Sequence, residues 1–396
     1  MSTQLQALLA ALVALGATAA ATPLAATVAR LVRAIDQPRG RGLAPGGTPL
    51  LGGLAMLLGV ELALFLALAP FSEQLSAVAE AALVITVVGA LDDRFDLLPG
   101  LKLIGQIAAA VLVVDGGVVV DNVTLPFIGA LNFGSAGGPL TVLGLVAVMN
   151  ILNFSDGIDG LAAGITAIAA TAFAIVAFDL GKVEGGTLAA ITAGAALGFL
   201  LFNFHPASIY MGDAGSNLLG LLLGCSAVLG AVKSQAVLAL VFPFLILAVP
   251  VLDTAFVVLK RLKYRQPVYG ADREHFHHRL DRIGFSVRRA VLVLYGWTFM
   301  MASVAVISRF VQPFASDGSL RWENAIILGG LLLIALAASV FVVYTLEILK
   351  FERAGRRVRV RMGGPALRHG GEAPEVGERA ADAAPEVAEP RIGTPG

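Results

Sequence analysis

Long apolar runs alternate with short polar connections along almost the whole chain. A helix that crosses a bilayer takes roughly 17 to 25 mostly apolar residues. Eleven stretches approach or reach that length: Leu5–Leu31, Leu51–Phe71, Ala77–Leu91, Leu103–Val120, Leu140–Asn153, Leu161–Leu180, Leu188–Phe204, Leu218–Val232, Ala236–Leu259, Val291–Phe310 and Ala325–Leu349. The third, fifth and eighth are short, which predicts helices whose ends lie inside protein around a site. Helices in lipid approach one another through small residues, and the 45 glycines suit such packing. Ala17–Ala21 resembles a signal cleavage region, but no basic segment precedes it and the run stays apolar to Leu31. It reads as the first span.

Composition agrees with this pattern. The 396 residues are 57% hydrophobic and 14% charged, whereas a soluble domain carries about 25% charged residues. A soluble globular chain is excluded. Lys+Arg and Asp+Glu balance at 28 each, so net charge indicates no nucleic-acid partner. The single Cys225 excludes an intrachain disulfide and a cysteine-based zinc site.

The distribution of charge then orients the chain. Cytoplasmic connections of membrane proteins accumulate Lys and Arg. With the N-terminus outside, the inner segments hold 24 basic residues and the outer ones only Lys182, Lys233, Arg309 and Arg321. Merging two short spans would invert every later connection and destroy that asymmetry. The expected fold is therefore an all-α polytopic membrane protein of about 11 transmembrane helices, with the C-terminus and the site on the cytoplasmic face. Residues 1–350 form the transmembrane catalytic domain. Residues 351–396 form a cytoplasmic tail, basic from Arg353 to Arg361 and suited to anionic lipid headgroups, then Pro-, Gly- and Glu-rich and disordered.

The inner connections carry the chemistry. The first polar cluster is Asp92-Asp93-Arg94-Phe95-Asp96, and the second runs from Asn150 through Asn153 and Asp156 to Asp159-Gly160. The third contains Asn203, His205 and Tyr210-Met211-Gly212-Asp213-Ala214-Gly215-Ser216, and the fourth Asp272-Arg273-Glu274-His275-Phe276-His277-His278-Arg279. Any one of these alone reads as a helix cap, a glycine-rich turn or a solvated loop. Four of them on one face read as a site. Adjacent carboxylates at a membrane boundary repel one another and resist burial unless a cation compensates. Mg²⁺ prefers oxygen ligands and commonly takes one or two carboxylates plus substrate phosphates. Arg273, Arg279 and Arg282 suit phosphate oxygens, Lys102 adds a point charge, and Tyr210 suits stacking on a planar base. Together these residues fit phosphoryl transfer between a soluble nucleotide and a lipid phosphate.

These motifs resemble the polyprenyl-phosphate N-acetylhexosamine-1-phosphate transferases of glycosyltransferase family 4. The resemblance rests on Asp92-Asp93-x-x-Asp96, Asn150-x-x-Asn153-x-x-Asp156-Gly-Ile-Asp159-Gly160, Met211-Gly212-Asp213-Ala-Gly215-Ser216 and His275-x-His277-His278-Arg279-Leu280, and it covers roughly residues 1–350. The form of the histidine motif is similar to that of the branch using UDP-GlcNAc. The resemblance implies transfer of GlcNAc-1-phosphate from UDP-GlcNAc to undecaprenyl or decaprenyl phosphate, giving polyprenyl-diphosphate-GlcNAc and UMP. This would be the first membrane step of a cell-envelope polysaccharide, in the bacterial plasma membrane. It implies Asp213 and Asn153 as ligands of Mg²⁺, with Mn²⁺ an alternative, and Asp92 as the base, supported by Asp93. Asp156, Asp159, Asn203 and Tyr210 would meet the nucleotide, and Lys102, His275, His277, His278 and Arg279 the phosphates or sugar. Direct attack and a covalent aspartyl intermediate both remain open, as does a homodimer. The first inner segment, Asp36 to Gly53, keeps the family's prolines and glycines but lacks its Lys-x-His segment. Another UDP-N-acetylhexosamine donor is the nearest alternative. A transporter or flippase is the alternative of a different class, with Asp253 in the ninth span as its main intramembrane carboxylate.

Overall fold

The computed structural model describes residues 3–36, 47–68, 72–125, 129–232, 251–252, 285–311, 313 and 319–340. In chain order the helices are α1 (Thr3–Leu31), α2 (Gly52–Leu68), α3 (Glu73–Phe95), α4 (Pro99–Asp115), α5 (Gly137–Ser155), α6 (Leu161–Asp179), α7 (Val183–Asn203), α8 (Gly212–Ala227), α9 (Val287–Phe310) and α10 (Trp322–Val340). Among the described residues eight helices are long and apolar enough to cross a membrane, and α2 and α4, at 17 residues each, are shorter. The expected ninth span, Ala236–Leu259, lies outside the described residues except at 251–252. So do His275, His277, His278 and Arg279, and so does the tail.

The fold departs from a purely helical one at two small antiparallel pairs. Strands β1 (Ile35–Asp36) and β2 (Thr48–Pro49) close the segment after α1, and β3 (Asn122–Leu125) with β4 (Gly129–Asn132) forms a hairpin between α4 and α5. Helix α4 accordingly stops at Asp115, short of the Val120 expected from hydropathy.

Helix α8 is the centre of the bundle, and every residue from Ala214 to Ala227 is buried. Its position depends on close backbone approach. A Cβ on Gly89 of α3 would lie 2.4 Å from the Ala214 Cα, and one on Gly220 would lie 2.6 Å from the Met149 Cα of α5. Hydrophobicity supplies little force between helices in lipid, so such contacts and interhelical hydrogen bonds set the geometry.

Three helices expected to be short are longer than their apolar runs, because each continues into a polar terminal turn. Helix α3 is 23 residues long, starts at a Ser72 cap whose side chain accepts from the Leu75 N–H (3.3 Å), and carries Asp92 and Asp93 in its last turn. Helix α5 ends at Ser155, and α8 begins at Gly212, so Asp213 lies on its first turn rather than in a loop. Hydropathy marks these turns as loop because their residues are polar. They stay helical because those polar groups have partners.

Candidate active site

Alternation of helix direction brings the C-terminal ends of α3, α5 and α7 beside the N-terminal ends of α4, α6 and α8. Asp213 is where their side chains meet. Its Oδ1 accepts from Asn153 Nδ2 at 2.8 Å and its Oδ2 from Lys102 Nζ at 3.1 Å. Lys102 also contacts Asp92 Oδ2 at 2.5 Å, while Asp92 Oδ1 accepts the Leu97 N–H at 2.8 Å. One ammonium group from α4 thus joins carboxylates on α3 and α8. Asn153 Nδ2 lies within hydrogen-bonding distance (2.9 Å) of Ser216 Oγ as well.

Asp93 has a different task from its neighbour. It accepts the Asp213 N–H at 2.7 Å and the Ala214 N–H at 3.2 Å. A carboxylate is favoured there because the first N–H groups of a helix lack partners within the helix and carry its positive dipole end. Gly212, at φ +69°, admits this approach, since a Cβ would lie 2.2 Å from Asp93 Oδ2. Asp93 therefore fixes the start of α8, and with it Asp213.

The second cluster is built from the connections. Asp159 Oδ2 lies 2.7 Å from His205 Nδ1 and accepts the Ala207 N–H at 3.0 Å. Asn203 is buried, with both ends of its amide committed to backbone: Oδ1 accepts the Gly160 N–H and Nδ2 donates to the Ile209 carbonyl, each at 3.0 Å. Tyr295 Oη of α9 donates to the Gly160 carbonyl, and Arg288 Nε donates to that of His205 (3.0 Å). The glycine-rich segment before α2 docks on the same loop, with the Gly52 and Gly53 N–H groups donating to the Tyr210 and Met211 carbonyls at 3.0 Å.

Two cavities share Asn153 and Asp213 as a common wall. One, of about 310 Å³, is polar and is lined by Asp36, Asp93, Asp156, Asp159, Asn203, Tyr210 and Gly212 as well as the shared pair. The other, of about 540 Å³, is lined by Asp92, Lys102, Gln106, Asn150 and Asn217 together with Ile85, Val88, Leu103 and Phe154. In the polar cavity, burial first, and then the charges of Asp213, Asp93 and Asp159, push the Asp156 carboxyl up to about 8. Burial also raises the Tyr210 hydroxyl.

The oxygen-rich donor set suits a hard divalent cation. Among the described residues no three His, Cys, Asp or Glu side chains form a cage for a metal on their own. An ion held here by one or two carboxylates would be completed by water and phosphate oxygens. Asp213 is the best-placed carboxylate for this. Asn153 directs its NH₂ toward Asp213 and so at least orients it.

All the expected site residues within the described regions except Asp92 and Lys102 line or support the polar cavity; those two line its neighbour. His205 stood in the third polar cluster without an assigned role, and nothing in the sequence singled out Asp36, Gln106 or Asn217. The last two stand four residues from Lys102 and Asp213, a helical spacing that marks a shared face.

A model of glycosyl transferase family 4 matches residues 75–231. A Bacillus subtilis (strain 168) protein described as a probable undecaprenyl-phosphate N-acetylglucosaminyl 1-phosphate transferase is 38% identical over 291 residues, covering 72% of this chain and 81% of its own. The decaprenyl-phosphate N-acetylglucosaminephosphotransferase of Mycobacterium leprae (strain TN) is 35% identical over 347 residues, 80% of this chain and 85% of that one. A phospho-N-acetylmuramoyl-pentapeptide-transferase of Moorella thermoacetica is 35% identical over 288 residues, 67% of this chain and 86% of the relative. The family match contains the residues that bring Asp92, Lys102, Asn153 and Asp213 together, and with these relatives it shows that this chain belongs to glycosyl transferase family 4.

Proposed function

We propose that the protein transfers GlcNAc-1-phosphate from UDP-GlcNAc to a polyprenyl phosphate, producing polyprenyl-diphosphate-GlcNAc and UMP. The observation that carries this reading is the Asp92–Lys102–Asp213 junction, set where a polar cavity meets one with apolar walls. A nucleotide sugar suits the first, and a phosphate carrying a hydrocarbon tail suits the second. The site lies at helix ends, whereas transporter sites lie near the bilayer midplane on broken helices; nothing observed supports the transporter reading. The strong bias of basic residues toward the connections at this end supports a cytoplasmic site in a bacterial plasma membrane.

In this reading a lipid-phosphate oxygen attacks the β-phosphorus of the donor. The bond from that phosphorus to the bridging oxygen breaks, and the electron pair leaves with UMP. Mg²⁺, held by Asp213 with Asn153 beside it, would neutralise charge on the diphosphate. Lys102 holds the attacking phosphate against the junction, and Asp92 Oδ2 accepts any proton that phosphate retains. Tyr210 and Asp156 face the nucleotide from the polar cavity, and Asp159 with His205 shapes its rim.

Purified protein supplied with polyprenyl phosphate and Mg²⁺ should release UMP from UDP-GlcNAc, and much more slowly from UDP-GalNAc or UDP-MurNAc-pentapeptide. Equal rates with all three would discard the donor assignment, and no release from any would discard the reaction.

A further inference from the structure

Beneath the charged junction, in the wall of the second cavity, lies a second polar layer to which the proposed reaction gives no chemical step. Asn150 Nδ2 of α5 donates to Gln106 Oε1 of α4 at 2.8 Å, and Gln106 Nε2 donates to Asn217 Oδ1 of α8 at 2.8 Å. Asn217 Nδ2 in turn donates to the backbone carbonyl of Asp213 at 2.8 Å. Gln106 is 5% exposed and Asn217 6%. The bonds run in one direction through three helices and end on the residue at the centre of the site.

The spacing of the layer is its telling feature. Gln106 is four residues from Lys102, Asn150 three from Asn153, and Asn217 four from Asp213. Each amide sits one helical turn, about 5.4 Å, deeper than a residue that touches or bears the Asp213 carboxylate. Residues three and four apart share a helix face. A rotation or slip of any of the three helices would therefore disturb both layers at once. Amide bonds join transmembrane helices in many settings. Helix joining alone would not place all three amides one turn from Lys102, Asn153 and Asp213.

We propose that Asn150, Gln106 and Asn217 form a positioning layer, with Gln106 as its hub, that holds Lys102, Asn153 and Asp213 in register for cation binding and transfer. The inference rests on the magnesium-dependent transferase reading above. None of the three amides is itself a catalytic group.

The test compares full-length wild-type protein with Gln106→Leu, Asn217→Leu and the double variant. It reads melting temperature, kcat, KM for UDP-GlcNAc, and Mn²⁺ affinity by electron paramagnetic resonance. Displacements on the order of 1 Å at a catalytic centre can cut rate by about a hundredfold. Gln106→Leu should accordingly lower kcat by about tenfold to a hundredfold and weaken Mn²⁺ binding, with little change in KM. Because the amides act as one unit, the double variant should lose no more than the worse single one. Gln106→Glu keeps an acceptor for Asn150 but loses the donor to Asn217, so it should be impaired in the same way.

A Gln106→Leu protein with wild-type kcat and Mn²⁺ affinity would overturn the proposal. So would losses that add in the double variant and merely track melting temperature. Should Gln106→Leu not fold, Asn217→Leu and Gln106→Glu are judged by the same criteria. Wild-type protein that releases no UMP would instead defeat the transferase reading, while Mn²⁺ affinity would still decide the role of the amides.

Discussion

Two ion pairs at opposite ends of the bundle differ in their charge balance. At the end away from the site, Arg309 of α9 meets Asp179 of α6, with Nε and Oδ2 at 2.7 Å, one cation to one carboxylate. At the site end Lys102 alone is shared by Asp92 and Asp213, with Asp93, Asp156 and Asp159 close behind. The first arrangement is electrically complete and joins two helices. The second carries surplus negative charge, some of it buried, and among the described residues one ammonium group, that of Lys102, meets it. Such a cluster is relieved by protons, as at Asp156, or by further positive charge of the kind that the proposed magnesium nucleotide complex would supply.

The sharpest way to break this contrast is to remove carboxylates from the site end. Asp213→Asn should lower turnover by at least about a thousandfold, as expected for losing a group that stabilises transition-state charge, with the fold retained by circular dichroism. Asp92→Asn should reduce kcat by about a hundredfold or more, within the range of a lost general base, while UDP-GlcNAc binding measured by calorimetry persists. Equal loss of binding and turnover would make Asp92 structural.

A thermal measurement sharpens the contrast further. Asp156 ordinarily titrates near 4, and in the folded protein it is pushed up to about 8. Between those values the folded state holds a proton that the unfolded chain has released. Stability in EDTA should therefore fall as pH rises from about 4 to 8 and level off above that range. Asp156→Asn should flatten the slope of melting temperature against pH, and Mg²⁺ with UDP-GlcNAc should do so in the wild type. A slope unchanged by the substitution would show that Asp156 does not carry the strain.

The smallest effect belongs to the far end. Arg309→Gln should leave turnover within about twofold and lower stability by about 1 kcal/mol, the scale of a partly exposed ion pair. A large loss of activity would show that the two ends are coupled.

What was legible in the sequence follows from the same contrast. Asp92, Asp93, Asn153, Asp156 and Asp213 stand out because they interrupt apolar runs that lipid would otherwise favour, and polar groups near membrane depth demand partners. Their convergence was foreseeable from the alternation of spans and the charge bias. The division of labour between Asp92 and Asp93 was not, because identical side chains one residue apart point to different neighbours, Lys102 and the start of α8. Gln106 and Asn217 escaped notice because single amides hardly alter the hydropathy of a span, and their partners lie about a hundred residues away or on another helix. The ends of α3 and α8 were placed too early and too late for a related reason, since polar residues in a terminal turn look like loop until their hydrogen bonds are known.

The central claim is that surplus charge around Asp213 makes a magnesium-dependent transfer centre, and it is tested most directly by titrating Mg²⁺ into EDTA-treated protein with UDP-GlcNAc and polyprenyl phosphate while following UMP. Release should be absent without the ion, rise to saturation in the wild type, and stay near background in Asp213→Asn at every concentration. Undiminished release in EDTA, or a normal titration curve for Asp213→Asn, would contradict it.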